Sequence, residues 1–115
     1  MRARIGEIAY ARSGDKGSGA NIGVIAHTAA GYELLRESLT TDAVRTFFAR
    51  LGPGDVKRYE LPNLLALNFI LPDVLGGGAS LSLRMDPQGK ALGQALLEME
   101  LEVTEDQLSK MREQP

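Results

Sequence analysis

The residue types best suited to chemistry cluster in one short stretch, ARSGDKGSGAN, at residues 11–21. It holds the guanidinium of Arg12, the hydroxyl of Ser13, the carboxylate of Asp15 and the ammonium of Lys16 among three glycines. Backbone N–H groups of a glycine turn can surround an anion, and the two cations would add charge. The same residues also allow a proton-transfer pair. An exposed structural turn is the third interpretation, because serine, glycine and aspartate are common in turns.

The spacing of the glycines excludes two nucleotide-binding motifs. A P-loop requires G-x-x-x-x-G-K-[ST], but Gly89-Lys90 is preceded by Arg84 where the first glycine belongs. A dinucleotide fingerprint would need a glycine at Ile22, three residues after Gly19. The sequence therefore predicts no cofactor.

Other polar candidates stand outside this stretch. His27 ends an apolar run, and a triad with Ser13 and Asp15 can be drawn, although a histidine at a strand end is the simpler interpretation. Asn68 lies within the apolar run LLALNFIL, where its amide either bonds to the backbone, which we expect, or points into a site. Asn63 follows Pro62 and is expected in a turn.

Composition limits the class of protein. The chain has 115 residues, 43% of them hydrophobic, which is enough for one domain with a buried core. A net charge of −2 argues against a nucleic-acid or membrane partner. With no cysteine and a single histidine we expect no metal site, and we expect the spaced carboxylates of Glu98, Glu100 and Glu102 to keep a sheet face wet. The N-terminus lacks the apolar core of a signal peptide, so we expect a cytoplasmic protein.

Periodicity predicts alternating strands and helices. We expect strands at 3–12, 20–27, 55–61, 79–85 and 97–103, and helices at 31–38, 40–51 and 91–96. The clearest helix has Thr40 or Thr41 as its cap and ends at Gly52. The apolar 62–75 segment fits either a helix or a buried strand. We expect one domain over 1–103, a turn at 86–89 and a polar tail at 104–115.

Three blocks of the sequence resemble the C-terminal domain of the acyclic terpene utilisation protein A (AtuA) family. They are ARSGDKGSGANIGVIA, RYELPNLLALNFILPDVLGGG and SLRMDPQGKALGQALLEMEL, in the order that the family has them. The resemblance implies an α+β, ferredoxin-like two-layer sandwich (βαββαβ), with an antiparallel-rich sheet and helices packed on one face. In that scheme strand 20–27 and the 62–75 segment are extra and would be insertions.

The resemblance also implies where a binding site would lie. Matching positions in the family's loop and second block, taken as ligand-binding candidates, are Arg12, Ser13, Gly14, Asp15, Lys16, Gly17, Asn21, Asn63 and Asn68. Ser18 departs from the acidic residue common in the family, which weakens a mechanism that needs a second carboxylate.

The functional expectation is a non-catalytic accessory or interaction subunit linked to acyclic terpene or acyl-CoA catabolism. We expect a homo-oligomer, and a separately encoded large AtuA-type domain as a further partner, because larger family members carry that domain and this sequence does not. The alternatives are a domain that binds an acyl-CoA or organic-acid anion, or a small lyase or hydrolase using residues 12–17. Whether the protein is an enzyme stays open.

Overall fold

A computed structural model describes residues 1–16, 19–72 and 90–113. Its elements are β1 (Arg2–Arg4), α1 (Ile5–Ile8), β2 (Ala9–Lys16), β3 (Gly19–Ala26), α2 (Ala29–Ser38), α3 (Thr41–Phe47), β4 (Lys57–Leu61), β5 (Ala66–Leu71), α4 (Lys90–Leu96), β6 (Glu100–Glu102) and α5 (Glu105–Glu113). Helices combined with antiparallel strands confirm the α+β class. The strand expected at 79–85 and the turn expected at 86–89 lie outside the described residues.

A four-stranded antiparallel sheet in the order β2-β3-β5-β4 organises the domain. Its two central strands place alternate apolar residues on one side, where Ile22 faces Phe69 and Val24 faces Leu67 across the β3–β5 pair, all fully buried. The expectation that 20–27 and 62–75 are insertions is therefore wrong. Strand alternation over Ala20–Ala26 and Leu67–Leu71 supplies the centre of the core.

Helices cover that side, which we call the helix face. Helix α4 packs on β2, where the backbone N–H of Gly93 donates to the Ser13 hydroxyl at 3.0 Å. The C-terminal end of helix α2 contacts β4. There the guanidinium of Arg58, on β4, donates hydrogen bonds to the carbonyls of Arg36 and Leu39 at 2.8 and 3.0 Å. A cation at a helix C-terminus satisfies carbonyls that have no partner within the helix.

The N-terminal segment differs from the single strand expected at 3–12. One turn of helix, α1, separates β1 from β2. Ile5 and Ile8 are both buried, and residues three apart share a side in a helix but lie on opposite sides of a strand. The Glu7 carboxylate accepts from the backbone N–H of Arg4 at 3.2 Å, which stabilises the start of this turn.

The helix expected at 40–51 is real but shorter. The Thr40 hydroxyl accepts from the N–H of Ala43 at 3.1 Å, confirming the cap, and α3 ends at Phe47. A short 3₁₀ turn, Ala49–Leu51, follows and ends at Gly52 in the left-handed region at φ 60°. Val44 and Phe48 are buried whereas Phe47 is exposed.

The 62–75 segment was expected to be either a helix or a buried strand. As far as Pro72, where the described range 19–72 ends, it contains a strand. A 3₁₀ turn at Pro62–Leu64 joins β4 to β5, and Leu65 adopts the left-handed conformation at φ 54°. A leucine there is strained by about 1–2 kcal/mol. The strand expected at 55–61 begins at Lys57.

A separate two-stranded sheet pairs β1 with β6. The strand expected at 97–103 is shortened to Glu100–Glu102, because residues 97–99 turn and the carbonyls of Leu97 and Met99 accept from α1. Its carboxylates pair with arginines, Glu102 with Arg2 at 2.9 Å and Glu98 with Arg4 at 3.2 Å. The hydrogen bond to Glu102, with the negative charges of Glu102 and Glu100, raises the pKa of Arg2.

The segment at 104–115 contains helix α5. Thr104 and Gln107 cap it reciprocally through side chain and backbone at 2.8 and 3.0 Å. Met111 is buried in the core, and the partly buried Leu108 packs against the core.

Candidate functional site

The other side of the four-stranded sheet carries no helix among the described residues, and we call it the open face. Strand register places its side chains in three rows of four, one residue from each of β2, β3, β5 and β4. The rows are Gly14, Asn21, Ile70 and Lys57; Arg12, Gly23, Asn68 and Tyr59; and Tyr10, Ile25, Ala66 and Leu61.

Exposed apolar side chains concentrate here. Tyr59 is 50% exposed, Tyr10 45% and Leu61 41%, and Leu64 in the adjoining turn is 64% exposed. Elsewhere in the described chain the large exposed hydrophobic residues are Met1 and Phe47. Contiguous exposed apolar groups are a feature of protein contact surfaces.

An amide pair occupies the middle of the open face. The Asn21 Nδ2 donates to the Asn68 Oδ1 at 2.9 Å, and both residues are half-buried. Asn68 therefore bonds to a side chain, and the expected backbone partner is wrong. The pair leaves the Asn68 Nδ2 and the Asn21 Oδ1 without a partner among the described residues, so the face offers both hydrogen-bond donors and an acceptor.

Two glycines leave bare positions beside this pair. A Cβ at Gly23 would meet its nearest atom, the Asn68 Oδ1, at 3.8 Å, and one at Gly14 would meet nothing within 4 Å among the described residues. Neither glycine has a positive φ. By contrast a Cβ at Gly19 would lie 2.7 Å from the Leu71 carbonyl oxygen, and one at Gly93 would lie 2.9 Å from the Ser13 Oγ. Packing thus requires Gly19 and Gly93, while Gly14 and Gly23 have no such requirement.

The stretch around residues 12–17 is divided between the two sides of the sheet. Strand β2 continues to Lys16, so the backbone of 12–16 is paired with β3 and does not form a turn of free N–H groups. Arg12 and Gly14 lie on the open face, whereas Ser13 faces α4. Asp15 and Lys16 lie on β2, but the structure does not describe their side chains. Gly17 lies outside the described residues altogether.

The structure separates the residues of the drawn triad. Ser13 is opposite Ile22, and His27 follows the far end of β3, about 17 Å along the strand. That distance is far beyond the hydrogen-bond reach that nucleophile and base require. His27 instead stacks on Tyr10 with ring centroids 5.9 Å apart, and it lines a cavity of about 310 Å³ with Glu7 and Arg112.

Asn63 lies apart from the amide pair. It is exposed in the β4–β5 turn, at the end of the sheet opposite to Gly14 and Asn21. This turn is the Leu-Pro-Asn-Leu block, which exposes Leu64 and directs Leu65 to the core. Of the predicted site residues, the structure brings together Arg12, Gly14, Asn21 and Asn68.

Sequence reasoning missed the apolar members of the open face. None of the five residues was a candidate site residue, and they are Tyr10, Ile25, Tyr59, Leu61 and Ile70. The usable signal was in strand 20–27, where Asn21 and Gly23 alternate with apolar residues and so mark a second side different from the core.

The described residues also limit other kinds of site. None of their histidine and acidic side chains form a group of three that could hold a metal ion. No helix in the described ranges has the length and apolarity needed to cross a membrane.

Fold and site define an α+β domain whose sheet is covered on one side and presents an apolar, amide-centred surface on the other. The family model of the AtuA ferredoxin-like domain matches residues 3–102, so the chain belongs to that family and has its ferredoxin-like fold. The resemblance inferred from the three sequence blocks is thereby confirmed. No curated protein and no solved structure matches the chain.

Proposed function

We propose that this domain is an interaction module, an accessory subunit linked to acyclic terpene or acyl-CoA catabolism that docks other protein chains through its open face. The observation that carries the proposal is the concentration of exposed Tyr10, Tyr59, Leu61 and Leu64 around one amide pair. Tyrosine and arginine are enriched in protein interfaces, and Arg12 completes that set here.

The breadth of the open face, four strands across, favours a protein over a small molecule. Small ligands bind in concave sites that enclose most of their surface. The cavity beside Arg12, of about 330 Å³, is lined by Ala11, Ser13 and Gln94 and so lies at the edge of the sheet. The rows of the open face form a surface four strands wide, which is the shape that another protein surface can cover.

The first partner to try is the large domain of AtuA-type proteins. The purified large domain, mixed with this chain, is expected to bind the wild type and to bind the Tyr59→Ala variant at least about tenfold more weakly. Phe47→Ala is the matched control, because Phe47 is an exposed aromatic residue on α3, away from the open face. Isothermal titration calorimetry measures the dissociation constants of the wild type and of both variants.

The proposal fails if the wild type binds neither the large domain nor another copy of itself. It also fails if binding is strong but indifferent to Tyr59→Ala, since the contact would then use another surface. Melting temperatures of the variants within a few degrees of the wild type establish that each is folded.

A second candidate, a site for an acyl-CoA or organic-acid anion, is favoured by one feature. Arg12 on the open face is a cation that no carboxylate of the described residues neutralises, whereas Lys57 at the edge of that face pairs with the Asp55 carboxylate at 3.4 Å. Coenzyme A or an acyl-CoA at about 100 times its dissociation constant would then raise the free energy of unfolding by roughly 2.7 kcal/mol. A melting shift that Arg12→Ala abolishes supports this candidate, and no shift with any acyl-CoA removes it.

A further inference from the structure

We infer that the open face is covered by a second copy of this chain, related by a twofold axis that runs parallel to the strands between β3 and β5. The inference rests on the proposed function and adds the identity of the partner. Two sheets stacked face to face keep their strands within about 30° of each other, which this axis allows.

The axis determines which strands meet. It places β2 over β4 of the other copy and β3 over β5, with each row facing the same row. The alternative twofold, running across the strands, would place Arg12 against Arg12 of the partner subunit and bring two like charges together. A like-charge contact in an interface is strongly unfavourable, so the strand-parallel axis is the compatible one.

Side chains then meet partners of complementary size. Gly14 faces Lys57 of the partner subunit, and Gly23 faces Asn68 of the partner subunit, so each bare position receives a long or polar side chain. In the third row Ala66 faces Ile25 of the partner subunit, again a small residue against a large one. The twofold repeats every contact.

Charge is also accommodated. Arg12 faces Tyr59 of the partner subunit, and a guanidinium over a phenol ring is a favourable cation–π contact. Among the side chains that the structure describes, none forms an ion pair or hydrogen bond with Arg12, so the guanidinium is available for this contact.

The same arrangement explains the two glycines that packing does not require. Glycine within a strand destabilises a protein relative to alanine, because it loses more conformational freedom on folding. Gly14 and Gly23 are both in strands, both on the open face, and both with space for a Cβ. A glycine at such a position allows another chain to approach the sheet closely.

The footprint predicts a dimer of modest affinity. Strand spacing and rise give the three rows about 400 Å² of flat sheet per copy. A standard stable interface buries about 800 Å² per partner, so we expect an equilibrium between monomer and dimer that depends on concentration.

Sedimentation equilibrium of the full chain tests the partner. The wild type is expected to change from monomer to dimer as its concentration rises through the micromolar range. Tyr59→Ala should raise the dissociation constant at least about tenfold, because two contacts are lost per dimer, while Phe47→Ala should leave it unchanged.

Cross-linking tests the axis. The chain contains no cysteine, so Gly14→Cys and Lys57→Cys each introduce a single thiol. These positions lie about 14 Å apart within one sheet but face each other across the inferred interface. A short bismaleimide should link the two variants in an equimolar mixture and link neither variant alone.

The outcomes separate this inference from the proposed function. A chain that stays monomeric at millimolar concentration overturns the second-copy inference, and the proposed function then depends on large-domain binding and its sensitivity to Tyr59→Ala. A dimer unaffected by Tyr59→Ala, or cross-links within single-variant samples instead of the mixture, overturns the inferred interface.

Discussion

The two sides of the four-stranded sheet are made by neighbouring residues of the same strands, yet they differ in how deeply most of their residues are buried. On the helix face Ile22, Val24 and Phe69 are fully buried under helices. On the open face the residues between them are Gly23, Ile25 and Asn68, which are only half-buried. The comparison teaches that one side of each strand holds the domain together, while the other is free to be selected for contact with a partner.

The largest difference should appear when each side loses one apolar side chain. Phe69→Ala removes a fully buried ring and is expected to lower the free energy of unfolding by about 3–5 kcal/mol. Ile70→Ala, one residue along on the open face, should lower it by about 1 kcal/mol or less. Urea denaturation at a concentration where the chain is monomeric measures both, and equal losses would contradict the division of the sheet.

Arg58 and Tyr59 provide the same test on the edge strand β4. Arg58→Met leaves the carbonyls of Arg36 and Leu39 without their donor and should cost about 1.5–3 kcal/mol. Tyr59→Ala should cost the monomer about 0.5 kcal/mol or less, since half of this side chain is exposed. Chemical denaturation of the two variants gives the ranking, and a larger loss for Tyr59→Ala would mean that the open face is covered within the monomer.

The glycines sharpen the comparison because their expected effects have opposite sign. Gly19→Ala forces a Cβ to within 2.7 Å of the Leu71 carbonyl oxygen and should destabilise by about 1–3 kcal/mol. Gly23→Ala has room and should stabilise the monomer by about 0.5–1 kcal/mol. Differential scanning calorimetry distinguishes them. A destabilised Gly23→Ala variant would show that the bare position serves the fold.

The smallest expected effect on stability is that of Arg12→Ala. An exposed side chain with no partner among the described residues should change the free energy of unfolding by less than about 0.5 kcal/mol. Association should nevertheless weaken, since the contact with Tyr59 of the partner subunit is lost. Thermal melts measure the stability of the variant, and sedimentation measures its association. A large loss of stability with unchanged association would mean that Arg12 serves the fold and not the interface.

Local signals in the sequence predicted the elements whose causes are local. Thr40 as a cap, Gly52 as a helix end and the strand at 20–27 depend on a few neighbouring residues, and the structure contains all of them. The α1 turn was missed because Ile5 and Ile8 fit a strand imperfectly, and the capping by Glu7 was not recognised. The family blocks supplied the ferredoxin-like class.

The sheet order could not be read from the same signals. Strands β3 and β5 are neighbours although Asn21 and Asn68 are far apart in sequence, and no local pattern specifies that pairing. Both asparagines were chosen as candidates, but their hydrogen bond to each other depends on this register. The open face could not be predicted for the same reason, because it forms only when the four strands of the sheet are paired.

Sedimentation equilibrium of a Gly23→Leu variant, paired with its denaturation curve, tests the central claim most directly. The side chain would fill the bare position opposite Asn68 of the partner subunit, and its Cβ would meet its nearest neighbour in its own chain, the Asn68 Oδ1, only at 3.8 Å. We predict a monomer that is at least as stable as the wild type and dimerises at least about tenfold more weakly. Undiminished dimerisation, or a marked loss of monomer stability, would contradict the claim that the open face serves association rather than folding.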